Sequence, residues 1–262
     1  MAVAIIRSHP DTLNDEVRKF AQAPLRQTAF LNSVPKCGTH LLRNIVRMFV
    51  PVEQHYDREF IQVQTLEQHK AGLDPRRPAF SVGHLLYTDI AALATRHANH
   101  VILVRDPYDY VLSRARFVFS EEFEHPMLAP LRSGASVEQM INFMIFGIPA
   151  KGPALREAFM FHAVAWLHTG PHLVRYEDIV RELKRLDSAE AQAFFGELLG
   201  WFGIELPQDW RERVKVGSDR RHSATDSARL SGLPDFPRTL TDGQKDLVEF
   251  AAPGLRTLLG YT

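Results

Sequence analysis

Two rhythms of apolar and polar positions divide the chain. Short runs of strand type occur at Phe30, Leu31 and Val34, at Phe80–Leu85, at His100–Val104, where VILV is fully apolar as a buried parallel strand should be, and at His172–Arg175. Between them apolar residues return at helical spacing, as with Leu41, Leu42, Ile45, Val46 and Phe49 after the first run. Helix-start signals fall where the rhythm changes: Thr88-Asp89, Asp106 before Pro107, Ser136-x-x-Gln139 and Thr241-x-x-Gln244. These predict helices from Thr39 to before Pro51, from Thr88 to about His97, from Pro107 past Val118, from Ser136 to Ile145 and after Thr241. Further helices are expected at Ala154–His168 and Ala189–Trp201, with a short one inside Asp11–Phe20. Val52–Pro78, Glu121–Gly134 and the stretch from Arg211 to Pro237 read as irregular. Buried strands alternating with helices predict an α/β fold of three layers, a central parallel sheet flanked by helices.

Composition narrows the function classes. The 31 basic and 31 acidic residues balance to zero formal charge, which argues against coating nucleic acid or an anionic membrane. No apolar run approaches the roughly 20 residues that span a bilayer, and MAVAIIRSHPD has too short an apolar core for a secretory signal. One cysteine among 262 residues excludes an intrachain disulfide, so the cytoplasm is the expected compartment and a single domain over 1–262 the expected organisation. Oligomeric state is not legible.

The chemistry concentrates at Thr28–Val50. A strand, the turn Pro35-Lys36-Cys37-Gly38-Thr39 and a helix put unpaired N–H groups and a positive dipole end at one point, which is an anion site. Gly38 allows close backbone approach, Thr39 adds a hydroxyl, and Lys36 adds a mobile charge. The triphosphatase pattern G-x-x-x-x-G-K-[ST] is absent. A second element follows 69 residues after Lys36, where Arg105 ends a strand and Ser113 lies eight residues further, two turns into the next helix.

P-K-C-G-T after a strand resembles the 5′-phosphosulfate loop of cytosolic-type sulfotransferases, which use 3′-phosphoadenosine 5′-phosphosulfate (PAPS). R-D-P-Y-D-Y-V-L-S is similar to their 3′-phosphate motif, R-[DN]-P-x-D-x-x-x-S. The resemblance covers residues 28–180 well and the remainder loosely. It implies a P-loop-like fold and sulfuryl transfer from PAPS, without metal, to a hydroxyl on a small-molecule, lipid or carbohydrate acceptor, with PAP as product. It further implies that Lys36, Cys37, Gly38, Thr39 and His40 bind the phosphosulfate, with Lys36 also catalytic, and that Arg105 and Ser113 hold the 3′-phosphate. Tyr176, in Y-E-D-I, would face the adenine, although a packed core tyrosine fits the pattern equally. Arg211, Lys215 and Gly217 would close over the 3′-phosphate, although a charge run also reads as a solvated face.

Of the 12 histidines, His84 sits at a strand end 21 residues before Arg105, where the family's K-T-H-[LF]-P supplies the general base. An imidazole at its ordinary pKa of ~6.5 suits transient removal of a hydroxyl proton. His40 and His162 are the alternatives. Three departures stand out. Val82-Gly83-His84-Leu85-Leu86 lacks the family's lysine and proline, Leu41 replaces an adenine-stacking tryptophan, and the basic segment departs from R-K-G. Acceptor contacts are expected from Val52–Pro78, Glu121–Gly152 and Arg220–Pro237. Phe117, Phe119, Phe123, Phe143 and Phe146 fit either an apolar acceptor pocket or core.

Two other readings use the same residues. Cys37 and Arg43 fit the thiol-phosphatase pattern C-x5-R, although Lys36 and Asn44 replace its usual histidine and Ser/Thr. A nucleotide-binding homologue without catalysis is the other.

Overall fold

The computed structural model describes residues 5–6, 11–58, 60–120, 123–124, 128, 131, 134–149, 151–219, 221 and 235–262. In chain order the described helices are α1 (Leu13–Val17), α2 (Thr39–Arg47), α3 (Asp89–Thr95), α4 (Pro107–Val118), α5 (Val137–Phe146), α6 (Leu155–His162), α7 (Tyr176–Leu183), α8 (Ala189–Trp201), α9 (Trp210–Gly217), α10 (Asp242–Ala251) and α11 (Leu255–Leu258). The strands are β1 (Ile5–Ile6), β2 (Ala29–Ser33), β3 (Phe80–Gly83), β4 (Asn99–Val104), β5 (Phe123–Glu124) and β6 (His172–Arg175). The chain divides into two compact units, residues 11–104 with 161–223, and residues 1–10 with 105–160 and 224–262.

The first unit holds the parallel sheet expected from the apolar runs, in the order β3-β2-β4-β6. β2 and β3 are buried at every position, as strands covered on both faces must be. The register sets Asn32 of β2 opposite Gly83 of β3 and Ile102 of β4, so the strands' carboxyl ends lie along one edge. Ligands of open α/β sheets bind at that edge. Among the described residues no helix is long and apolar enough to cross a membrane.

Helix α2 is fixed by two buried arginines. Arg47, 1% exposed, donates to Asp11 at 2.6 Å and to Asn14 at 2.7 Å. Arg213 of α9 donates to both carboxylate oxygens of Asp209, to Gln22, and to the carbonyls of Ala21 and Met48. Beside it, α9 touches α2 so closely that a Cβ on Gly217 would lie 2.7 Å from Ile45 Cα.

Three expectations change in this unit. The basic run from Arg211, expected to open a loop, is helical through Gly217, because Trp210, Arg213, Val214 and Gly217 form a buried face. The long helix expected at Ala154–His168 ends at His162. Ala163 leaves helical dihedrals (φ −133°, ψ −63°), and a 3-10 turn over Val164–Thr169 follows. There the fully buried Trp166 donates to the Leu85 carbonyl at 3.1 Å. The stretch read as irregular before β3 contains 3-10 turns and runs beside that strand, with Ile61 N–H donating to Val82 and His84 N–H to Ile61.

In the second unit the helix starts match the sequence. The Asp106 carboxylate accepts from Tyr108 N–H, Pro107 takes the first helical position of α4, and Ser136/Gln139 and Thr241/Gln244 form capping boxes. Asp106 also receives a bidentate pair from Arg256 at 3.1 and 3.0 Å, and that guanidinium lies 4.1 Å from the centre of the Tyr108 ring. β1 pairs antiparallel with β5. Most of Arg220–Pro237, and most of the Glu121–Gly134 part of Glu121–Gly152, segments expected to contact an acceptor, lies outside the described residues.

Candidate active site

The loop between β2 and α2 has the backbone its sequence calls for. Gly38 adopts φ 98° and ψ 24° at the N-cap of α2, and Lys36 has φ 72°. Lys36 and Gly38, on either side of Cys37, both have positive φ, and the loop leads into the N-terminus of α2, where unpaired N–H groups and the helix dipole favour an anion. Cys37 N–H closes the turn onto the Val34 carbonyl at 3.2 Å. The N–H groups of Gly38, Thr39 and His40 precede the helix's first internal bonds and are the ones open to an anion. Of the residues expected to bind the phosphosulfate, Cys37 has its N–H committed within the turn.

Gly38 is also where the loop meets the ring of Tyr176. A Cβ there would fall 2.3 Å from Tyr176 Cδ2 and 2.7 Å from Cε2. Tyr176 is the first residue of α7, directly after β6, so the outer strand of the sheet delivers its ring to the loop.

His84 follows β3 directly, and its imidazole reaches across to the end of β2. Its Nδ1 lies 3.0 Å from the Ser33 carbonyl and 3.1 Å from Ser33 Oγ, and Ser33 Oγ is 2.7 Å from Thr39 Oγ1. A carbonyl only accepts, so Nδ1 carries the proton and Nε2 carries the lone pair. The adjacent Asn32 locks the strand ends together, donating to the Leu85 carbonyl at 3.0 Å and accepting from Leu85 N–H at 2.8 Å. Sequence reasoning passed over Asn32 and Ser33. Their signal was two polar residues inside an otherwise apolar strand.

Burial pushes the His84 pKa down to about 4, with the Ser33 carbonyl pulling upward and the charges of His162 and Lys36 pressing it lower. This corrects the expected ordinary imidazole value: the ring is neutral throughout the physiological range and is a weaker base. His40, in the first turn of α2, is pushed to about 3 by burial and by the charges of Arg43, Lys36 and His84. Phe60 packs against both imidazoles, with centroids 5.0 Å from His84 and 5.5 Å from His40. Lys36, His40, His84 and His162 thus share one electrostatic environment.

Arg105 follows β4 and precedes the Asp106 cap, while Ser113 lies midway along α4, and both belong to the second unit. Arg116 on the same helix is held below its ordinary range by burial and then by the Arg105 charge, so two guanidinium groups share that region. On α9, Arg211 lies over the Trp210 ring and 3.8 Å from Asp187, Lys215 is exposed, and Gly217 is buried against α2.

The phosphatase pattern fits this geometry poorly. Arg43, which would have to clamp the phosphate, pairs with Asp57 at 3.1 Å and lies 3.7 Å from Asp11. Cys37 is fully buried.

No protein-family model matches the sequence, and no curated protein matches it. The structure resembles mouse sulfotransferase SULT7A1 complexed with PAP, with a TM-score of 0.55 and 15% identity over 94% of this chain and 90% of that one. It also aligns with retinol dehydratase in complex with androsterone and inactive cofactor PAP, at a TM-score of 0.47 and 15% identity over 91% and 82% of the two chains. The first similarity identifies the fold as that of a sulfotransferase.

Proposed function

We propose that the protein is a PAPS-dependent sulfotransferase that moves a sulfuryl group to an acceptor hydroxyl by in-line displacement, its two units acting as one sulfotransferase domain. One observation carries this reading. His84, at the end of β3, is hydrogen-bonded to Ser33, the residue at which β2 gives way to the Lys36–Thr39 loop. This supports a neutral imidazole, with its Nε2 lone pair turned to an acceptor, beside the loop that would hold the phosphosulfate.

The loop suits a phosphosulfate. The N–H groups of Gly38, Thr39 and His40 and the Lys36 ammonium are donors for charge that develops on a leaving phosphate. The Tyr176 ring against Gly38 suits a flat base beside that phosphate. PAPS supplies the activated sulfuryl group. Lys36 holds the leaving oxygen, His84 Nε2 takes the proton of the acceptor hydroxyl, and Arg105 and Ser113 bind the 3′-phosphate. Arg211, Lys215 and Gly217 of the basic run close over the 3′-phosphate, a role supported for Lys215 by its exposed ammonium.

The product, adenosine 3′,5′-bisphosphate, is expected to raise the melting temperature far more than AMP or ATP does. Equal stabilisation by AMP would remove the 3′-phosphate site. Strong binding without sulfuryl transfer to any alcohol, phenol, sugar or lipid would identify a non-catalytic homologue.

Arg105→Ala should weaken bisphosphate binding by about 1.5–3 kcal/mol, the range for a charge-assisted hydrogen bond. Ser113→Ala should cost less, because it removes one neutral donor. Calorimetric titration of both variants checks the order, and a larger loss from the serine would refute the assignment.

A further inference from the structure

Ser33 is fully buried, and its hydroxyl touches two functional side chains, Thr39 Oγ1 at 2.7 Å and His84 Nδ1 at 3.1 Å. We infer that the Ser33 hydroxyl is a positioning group that couples occupancy of the phosphate loop to the basicity of His84. The inference rests on the sulfotransferase reading, since it takes an anion to bind at Thr39.

The direction of the chain follows from counting protons. Each hydroxyl has one hydrogen, and His84 Nδ1 already carries one because it faces the Ser33 carbonyl. Without an anion, Ser33 and Thr39 can each donate to the other. Once Thr39 donates to an anion, its oxygen must accept from Ser33. The Ser33 hydrogen is then spent, and its oxygen accepts from His84 Nδ1–H, whose one hydrogen is shared between that oxygen and the Ser33 carbonyl. Every bond now points from the imidazole to the anion, and such aligned chains strengthen cooperatively. Negative charge at the far end favours the imidazolium, so a filled loop makes His84 a better base.

The groups facing His84 work against this in the empty site. Lys36 on the loop and His162 at the end of α6 lower its affinity for a proton, and His40 on α2 shares its surroundings. An anion also offsets Lys36 directly, through space. That contribution survives removal of Ser33, whereas the part carried by the hydroxyl chain does not.

The Ser33 backbone carbonyl remains in Ser33→Ala, so the variant separates the two functions of this residue. Imidazole nitrogen NMR of His84 is followed as a function of pH, with and without saturating adenosine 3′,5′-bisphosphate. In the wild type the ligand is expected to raise the His84 midpoint, with Nδ1 protonated throughout. In Ser33→Ala the tautomer should persist while the ligand-induced rise falls below half. Ser33→Thr, which keeps a hydroxyl, should restore it. In turnover, Ser33→Ala should lose about 10–100-fold in kcat, as when an outer partner of a functional histidine is removed. Thr39→Val breaks the chain at its other end and serves if Ser33→Ala does not fold. An equal ligand-induced rise in wild type and variants would overturn the coupling alone. Absence of any melting shift with the bisphosphate in the wild type would remove the anion site, and the sulfotransferase reading with it.

Discussion

His84→Ala is expected to lower kcat by about 10²–10⁴-fold, the usual contribution of a general base, and to leave bisphosphate affinity nearly unchanged. The two quantities separate because the imidazole does not belong to the loop that would hold the phosphate. It follows β3, and only its Nδ1 is engaged with that loop's root, through Ser33. Nε2 is the nitrogen proposed to face the acceptor. Burial holds the pKa at about 4, so the imidazole is unprotonated at any ordinary assay pH. The kcat/KM profile, which reports the free enzyme, should therefore rise with pH through about 4 and stay level above it. In kcat, which reports the loaded enzyme, the rise should lie at higher pH, because a bound anion offsets Lys36 and the Ser33 chain adds to that shift. Rates and bisphosphate Kd for wild type and variant supply the check. A loss of less than about tenfold, well under the range for a base, would pass the role to His40, His162 or an unassigned group. His40, pushed to about 3, is a weaker base than His84.

How much of this was legible in the sequence depends on how far away each residue's partner lies. The strand, loop and helix at Thr28–Val50 could be read because every signal is local: an apolar run, a glycine where the backbone turns left-handed, then helical spacing. Asp106-Pro107 and the capping boxes at Ser136 and Thr241 were legible for the same reason, since each satisfies a helix end within three residues. The basic run from Arg211 was misread because its partners are remote. Arg213 is buried against Gln22, Ala21 and Met48, and Gly217 against Ile45, and no pattern within the run reports those contacts. The break at Ala163 was missed likewise, because Trp166 bonds to Leu85, a partner 81 residues away. Of the site, the loop and the histidine at the strand end were visible. The link through Ser33 was not, because it depends on β2 and β3 being neighbours with their ends in register.

Gly38→Ala is expected to cost about 2–5 kcal/mol, from two separable sources. The first is backbone strain. Gly38 has φ 98°, and an L-residue held in the left-handed region costs roughly 1–2 kcal/mol. The second is overpacking, because the new Cβ would lie 2.3 Å from Cδ2 of the Tyr176 ring. Forcing a methyl group into a packed site costs about 1–3 kcal/mol. Neither source can relax without harm to the loop. Rotating Gly38 out of the left-handed region re-aims its N–H and that of Thr39, and pushing Tyr176 away removes the flat surface proposed for the base. Bisphosphate affinity should accordingly fall together with stability. A double-mutant cycle separates the terms. Adding Tyr176→Ala to Gly38→Ala should recover the overpacking share in a denaturant melt, while the backbone share remains. Full recovery would mean that φ at this position carries no strain. A single variant that stays within about 0.5 kcal/mol of wild type, the range of an unremarkable surface change, would show that the ring does not rest against Gly38. The adenine assignment of Tyr176 would fall with it, because its support is the approach of that ring to the loop.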